Sequence, residues 1–538
     1  MSNEIIIFAS GDLRESANVQ CWPAQKAMED RLEAALAKLG YSVTRGHPYK
    51  SDLGHGFLAS QREGMDAFAK IDPHAKVIVA EAVWQYSHHV LAGLTSHRGP
   101  ILTLANWDGQ WPGLVGLLNL NGSLTRAGVP YASLWSETFE DEFFVGKLRE
   151  WLETGDITHD TSHVTPFSGA AVPETSARLA REIATDFRRN KVILGVFDEG
   201  CMGMFNAIIP DELLIPLGFF KERLSQSTLY HATMQVSVDE GRKVFEDLKA
   251  RGLKFHFGTD PTSELTQDQV IDQCRMYIAA VRLADQFGCE AIGIQYQQGL
   301  KDLLPASDLV EGILNNDDRP DVLNAKGGVI RQGEAIVHFN EVDECAALDG
   351  VITNRVHRAL GQPVENTLHD LRWGGMDASG TRDEFIWVLE ISGAAPPAHH
   401  EGGWAGSDSM RQPPMFFPFG GGTLRGVAKA GEIVWSRIYV EDNRLKMDIG
   451  RAEAVALPKA ETERRWSMTN REWPMMHAVI TGVTRDQMMA KHKANHIQVA
   501  YANSSAEANL AALTKAALAR ELGIEVNLCG VTEAQLIA

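Results

Sequence analysis

Three residues stand in surroundings too apolar for ordinary surface groups. Glu341 follows the apolar stretch 335–339 in HFNEVDEC, Asp370 sits inside NTLHDLRW (366–373), and His496 opens the apolar run of MAKHKANHIQVAY (489–501). Carboxylates and imidazoles are the side chains that ligate metals and carry protons near neutral pH. In α/β folds such groups collect beyond the carboxyl ends of strands, where Glu341 and Asp370 fall if the apolar runs before them are strands. Each also has an ordinary reading: Glu341 as an exposed strand-end acid, Asp370 as a helix N-cap, His496 as a hydrogen-bonded core histidine. The three lie too far apart in the chain for spacing to join them, so residue counting leaves both readings open.

The generic catalytic motifs are missing. There is no GxxxxGK[ST], no GxSxG and no HExxH in the sequence. The segment FASGDLRES after the first apolar run has one glycine where a dinucleotide fingerprint needs three, which argues against a dehydrogenase. The triplet at 420–422 reads as a flexible turn. Six cysteines (21, 201, 274, 289, 345 and 529) are scattered without a CxxC pair, so neither a disulfide framework nor a thiolate zinc site is expected, and most are read as small core residues. The adjacent pairs His88-His89 and His399-His400 point to opposite faces in a strand and make no metal motif by themselves.

The elements that must position these residues come from a chain of 538 residues, long enough for three or four domains. It is 44% hydrophobic and 22% charged, as expected for a globular protein with a sizeable core. A formal charge of −19 argues against a main role in gripping nucleic acid or anionic membranes. No apolar run is long enough for a transmembrane helix, and the start MSNEIIIFASGDLRES lacks a basic, then apolar, leader, so a cytoplasmic protein is expected. Continuous apolar runs at 5–8, 76–82, 99–106 and 130–135 alternate with helical patterns at 23–39 and 140–153, the signature of a parallel sheet covered on both faces. Residues 155–175, rich in Gly, Ser, Thr and Pro, read as a linker. A second α/β run follows, with strands at 191–199, 253–258 and 291–296 and helices at 175–189, after Val238 and at 266–287. Residues 431–457 have the character of antiparallel strands, followed by a helix at 506–522 and a strand at 525–529. The expected fold is α/β: two doubly wound parallel-sheet domains (1–165 and 166–350) followed by an α+β domain (351–538) rich in antiparallel strands.

Across most of its length the chain resembles the L-fucose isomerase family of metal-dependent aldose–ketose isomerases. The likeness is carried, in order, by LRES (13–16), VILGVFDEGCMGMFNAIIPDELLIPLGF (192–219), AIGIQYQQGLKDLLPASDLVEGILN (291–315), NEVDECAAL (340–348), HDLRWG (369–374), FGGGTLRG (419–426), Trp473-Pro474 and ANHIQVAYA (494–502). The departures are Thr423 where the family has an aromatic residue, His492-Lys493 before Ala494-Asn495-His496, Gln295-Tyr296-Gln297-Gln298 in the glutamine stretch, and five extra residues between Glu341 and Asp370. They fall near positions that contact sugar in the family, so the sugar itself stays open.

What the resemblance implies is specific. Glu341, Asp370 and His496 hold one divalent cation, Mn2+ in the first instance with Mg2+ or Co2+ as substitutes, since two carboxylates and an imidazole make a mostly hard ligand set. Glu341 and Asp370 double as the acid/base pair that moves a proton between C2 and C1 of an open-chain aldose. Arg14, Trp84, Gln297, Ser392 with Gly393, Trp473 and Asn495 position the sugar, and Asn495 also supports His496. Lys491 and Lys493 would suit an anionic substituent. The family also implies a homo-oligomer, a hexamer, in which the N-terminal domain of one chain covers the metal of another. The competing readings are a metal-dependent epimerase or lyase on a modified sugar or sugar acid, motivated by Thr423 and His492-Lys493, and a non-catalytic sugar-binding relative.

Overall fold

The computed structural model describes residues 3–200 and 203–537. The chain is mixed α/β, with two parallel sheets and a third, mostly antiparallel one. Strands β1 (Glu4–Phe8), β2 (Ser42–Arg45), β3 (Lys76–Glu81), β4 (Ile101–Asn106) and β5 (Ala132–Ser136) pair in the order β2-β1-β3-β4-β5, all parallel. The helix expected at 23–39 begins earlier, at Glu15, and runs to Lys38 with Pro23 inside it. Its end is where the sequence puts it, at Gly40, whose φ of +85° a side chain would resist.

The segment read as a linker contributes β6 (Val164–Pro166), which pairs with the last strand of the chain; backbone pairing, not composition, decides its state. The second parallel sheet comprises β7 (Val192–Phe197), β8 (Phe219–Leu224), β10 (Ala291–Ile294) and β11 (Val337–His338), ordered β11-β10-β7-β8. The strand expected at 253–258 is only β9 (Lys254–Phe255), and it pairs outside this sheet with β14 (Asp408–Ser409). Phe255 and Phe257 both pack against Phe245.

The third sheet is built from β12 (Asn366–Met376), β13 (Phe385–Glu390), β15 (Gly431–Glu441), β16 (Arg444–Ala454), β17 (Met475–Ile480), β18 (His496–Ala502) and β19 (Glu525–Cys529), with β6 at its end. Its order is β15-β18-β12-β13-β17-β16, and β15 also pairs with β16 along their whole length. Six antiparallel strands therefore close on themselves as a barrel, which leaves none of the six as a free edge. Trp107 and Trp135 of the first sheet's loops and strands bury against Leu371, Trp373, Trp387 and Trp435 of this barrel. The Trp107 indole donates to Gly374 O at 2.8 Å and that of Trp135 to Asp486 at 2.8 Å, so each large apolar side chain keeps its polar atom satisfied.

The strand that carries Asp370 is anchored at its far end by Arg465. This fully buried guanidinium donates to the carbonyls of Gly375, Met376 and Ile386 at 2.9–3.1 Å and to Glu461 at 2.7 Å. Hydrogen bonds from Arg464 and then Arg465 hold the Glu461 carboxyl down at about 2, against the effect of burial. A depressed carboxylate adds stability above its unfolded value and loses it as pH falls toward the folded one. The melting-temperature gap between wild type and Glu461→Gln is therefore expected to be largest above about pH 4.5 and to close toward pH 2, as followed by circular dichroism.

Five cysteines are buried and free, as their spacing suggests; Cys201 lies outside the described residues. Among the described residues, no helix is long and apolar enough to cross a membrane.

Candidate active site

Two parallel sheets and the barrel meet at one pocket, and each sends residues into it from a predictable place. Arg14 and Trp84 lie beyond the carboxyl ends of the neighbouring strands β1 and β3; Gln297 and Glu341 lie beyond those of β10 and β11. Those ends are where backbone groups run out of sheet partners and side chains of successive strands converge. The barrel supplies Asp370, and Ser392 follows β13 directly. Arg14, Trp84, Gln297, Glu341, Asp370, Ser392 and Trp473 line this single pocket together with Pro112, Val115, Arg372, Phe416 and Phe417. The chain's own N-terminal part reaches this pocket through Arg14, Trp84, Pro112 and Val115.

Asp370 and His496 are direct cross-strand partners in the register of β12 and β18, which places both side chains on one face. Asp370 is thus a mid-strand residue, neither at a strand end nor a helix cap. Glu341 arrives from a tight turn in which it and Val342 both adopt positive φ, +58° and +56°. A β-branched residue there is strained by about 1–3 kcal/mol, and the buried packing of Val342 against the second sheet's core holds the turn in place. The result is that His496 Nε2 stands 3.6 Å from Glu341 and 3.5 Å from Asp370, without a hydrogen bond to either.

The partner of His496 is Asp343, not Asn495. Nδ1 of the imidazole meets Asp343 Oδ2 at 2.7 Å. The same carboxylate takes Arg437 at 2.6 Å and caps the helix Glu344–Leu360 by accepting from Ala346 N at 2.9 Å. Against the burial that raises it, Arg437 and His496 hold the Asp343 carboxyl at about 2. Asp343 therefore fixes the ring so that Nε2 is turned toward Glu341 and Asp370. The Asn495 amide donates instead to Asp370 Oδ1 at 3.2 Å.

Burial raises both pocket carboxyls, Glu341 to about 7 and Asp370 in the same direction, and His496 only partly offsets this. Burial opposes the charge of His496 as well, but Asp343, Asp370 and Glu341 raise its proton affinity on balance. A third acid, Glu390, lies across β12 from His496, next to Asp370, and burial pushes it to about 7. The floor of the pocket is short of positive charge. Two ligands sharing a cation at bonds of about 2.1 Å sit roughly 3.0–3.4 Å apart, close to the spacings His496 keeps. Among the described residues, no group of three or more His, Cys, Asp or Glu side chains stands ready at one cation position. The donor types, two carboxylates and an imidazole, are nevertheless those that a hard divalent ion takes.

The other residues singled out in the sequence divide clearly. Arg14 is held by Asp12 through Nε and Nη2 at 2.8 and 2.6 Å and lies over Phe416 at 4.5 Å. The Trp473 indole donates to Gln412 at 2.8 Å, leaving its ring to the pocket. Among the described residues, both amide atoms of Gln297 and the Trp84 indole nitrogen are buried without a partner. Lys491 is paired with Asp448 at 2.8 Å and Lys493 with the Tyr131 hydroxyl at 3.1 Å, so both are spent on the fold. Thr423 bonds the Met410 carbonyl, and His492 bonds that of His496. None of these four lines the pocket. Residues the sequence reading missed are Asp343, Arg372, Glu390 and Arg437. Asp343 had a signal, an acid directly before the apolar helical run 344–357, which is an N-cap pattern.

No family model matches this chain, and no curated protein matches it.

Proposed function

We propose that the chain is a metal-dependent aldose–ketose isomerase, acting on an open-chain sugar of the L-fucose or D-arabinose type. One observation carries the reading: Glu341 and Asp370 line a buried pocket with aromatic rings and polar groups that are unpaired among the described residues, and His496, from a third element, stands 3.6 and 3.5 Å from those two carboxylates. The finer architecture goes with it, two doubly wound domains and an α+β domain assembled as a homo-oligomer, a hexamer by resemblance.

Glu341, Asp370 and His496 would hold Mn2+, with Mg2+ or Co2+ as substitutes. When bound, the cation acts as a Lewis acid on the sugar carbonyl and the neighbouring oxygen. The chain does the rest. Asn495 fixes Asp370 by a hydrogen bond, while no described residue donates one to Glu341, so Glu341 is the freer group to take the C2 proton and return it to C1. Trp84, Trp473, Phe416 and Phe417 exclude water and offer ring faces to the sugar's C–H surfaces. Gln297 and the Trp84 indole supply the hydrogen bonds that orient its hydroxyls. An epimerase or lyase acting on a modified sugar or sugar acid would draw on Thr423 and His492-Lys493, which lie off the pocket.

The test is ketose formation from L-fucose, D-arabinose, L-arabinose, L-rhamnose and D-altrose by metal-stripped protein with and without Mn2+. Activity on at least one sugar is expected to disappear with the metal and return with it. Silence across the panel in the Mn2+-loaded protein removes the isomerase reading.

A further inference from the structure

We propose that Arg372 carries an oxygen-binding subsite of this pocket, taking hydroxyl oxygens of a neutral open-chain polyol framework through Nη1. The proposal rests on the isomerase reading and adds a residue that reading does not use.

The register of β12 against β13 slips at this residue, passing from Leu371↔Leu389 to Trp373↔Val388 and leaving Arg372 without a cross-strand partner. Such bulges re-aim a side chain, and this one lines the pocket while only 1% exposed. Its donors can be accounted for one by one. Nε donates to Gly109 O at 3.0 Å, and Nη2 donates to Gln110 O at 2.9 Å and to Asn470 Oδ1 at 2.7 Å. Nη1 has no partner. A buried charged donor left empty is costly, which points to a ligand atom in that position.

The same accounting selects the ligand. A carboxylate or phosphate is gripped by two parallel N–H groups of the guanidinium fork, and here the Nε and Nη2 edge is already occupied by protein oxygens. Both pocket guanidinium groups also face carboxylates of their own, Arg14 bonded to Asp12 and Arg372 3.5 Å from Glu390. Little positive charge is left for an anion. The remaining unpaired atoms, Trp84 Nε1 and the Gln297 amide, are suited to hydroxyls, which donate and accept at once. The Trp473 ring, 5.7 Å from the Arg372 guanidinium carbon, gives the adjoining apolar wall.

Calorimetric titration of the Mn2+-loaded protein with D-arabinitol and D-arabinonate tests this without requiring turnover. Wild type is expected to bind arabinitol at least as well as arabinonate. Arg372→Lys keeps the charge opposite Glu390 but loses the fork, and is expected to weaken arabinitol about 10-fold or more. Arg372→Met combined with Glu390→Leu removes the charge pair together, gives the same loss, and serves if the lysine variant does not fold. Asn470→Leu takes away one acceptor of Nη2 but leaves Nη1, and is expected to stay within about twofold of wild type. Unchanged arabinitol affinity in folded Arg372 variants overturns the subsite, as does an equal loss in Asn470→Leu, which would make Arg372 a clamp on the Gly109–Gln110 loop. Tighter binding of arabinonate overturns the ligand class. Wild-type protein that binds neither compound overturns the sugar-site reading itself.

Discussion

Glu341→Gln is expected to lower kcat/KM for isomerisation by about a thousandfold or more, while the metal-free protein melts at or above the wild-type temperature. Glutamine keeps the shape of glutamate but can neither carry the proton between C2 and C1 nor contribute charge to a cation site. General acid–base catalysis alone accounts for about 10²–10⁴ in rate, and the loss of a ligand adds to that. Stability should move the other way. The Glu341 carboxylate is buried and accepts no side-chain hydrogen bond among the described residues, and His496 and then Arg14 offset its burial only in part. Removing a buried charge that lacks a full partner is neutral or stabilising. Asp370→Asn is expected to lose activity similarly. Steady-state kinetics and a thermal melt on the same preparations separate the two effects, and activity within tenfold of wild type in both variants defeats the assignment.

Asp343→Asn is the second large effect, and it acts through two groups at once. The variant leaves the Arg437 guanidinium, which is 1% exposed, without its carboxylate. Breaking one side of a buried ion pair costs about 3–5 kcal/mol. Asparagine still caps the helix at Ala346, so that contribution survives. It also ceases to hold His496 Nδ1 as a charged acceptor, and loss of such a partner lowers metal affinity about 10–100-fold. Combining Asp343→Asn with Arg437→Met is expected to restore much of the melting temperature while leaving the Mn2+ affinity low. If affinity recovers together with stability, Asp343 acts on the fold alone and not through His496.

How much of this was legible in the sequence depends on the kind of signal. Strands buried on both faces are continuous apolar runs, so β1, β3, β4 and β7 could be placed from sequence alone, and glycine marked the end of the first helix. The residues brought to the pocket were found because carboxylates and an imidazole in apolar stretches are conspicuous and because eight ordered segments resemble one family. What escaped depends on cross-strand register. The pairing of Asp370 with His496 on one side and Glu390 on the other is set by hydrogen bonding between strands far apart in the chain. The bulge at Arg372 leaves no mark in composition. The capture of β6 by β19 likewise needed the third dimension, since a segment rich in Gly, Ser, Thr and Pro pairs only when an edge is offered to it. Lys491 and Lys493 looked like free cations beside a ligand, yet Asp448 and Tyr131 claim them from other elements.

Glu341, Asp370 and His496 are proposed to share one divalent cation. Anomalous diffraction at the manganese edge, from crystals of the Mn2+-loaded protein, tests it most directly. A single strong peak is expected within bonding distance of both carboxylates and His496 Nε2, with Nδ1 still on Asp343. Manganese bound elsewhere, with these three side chains unliganded, would contradict it.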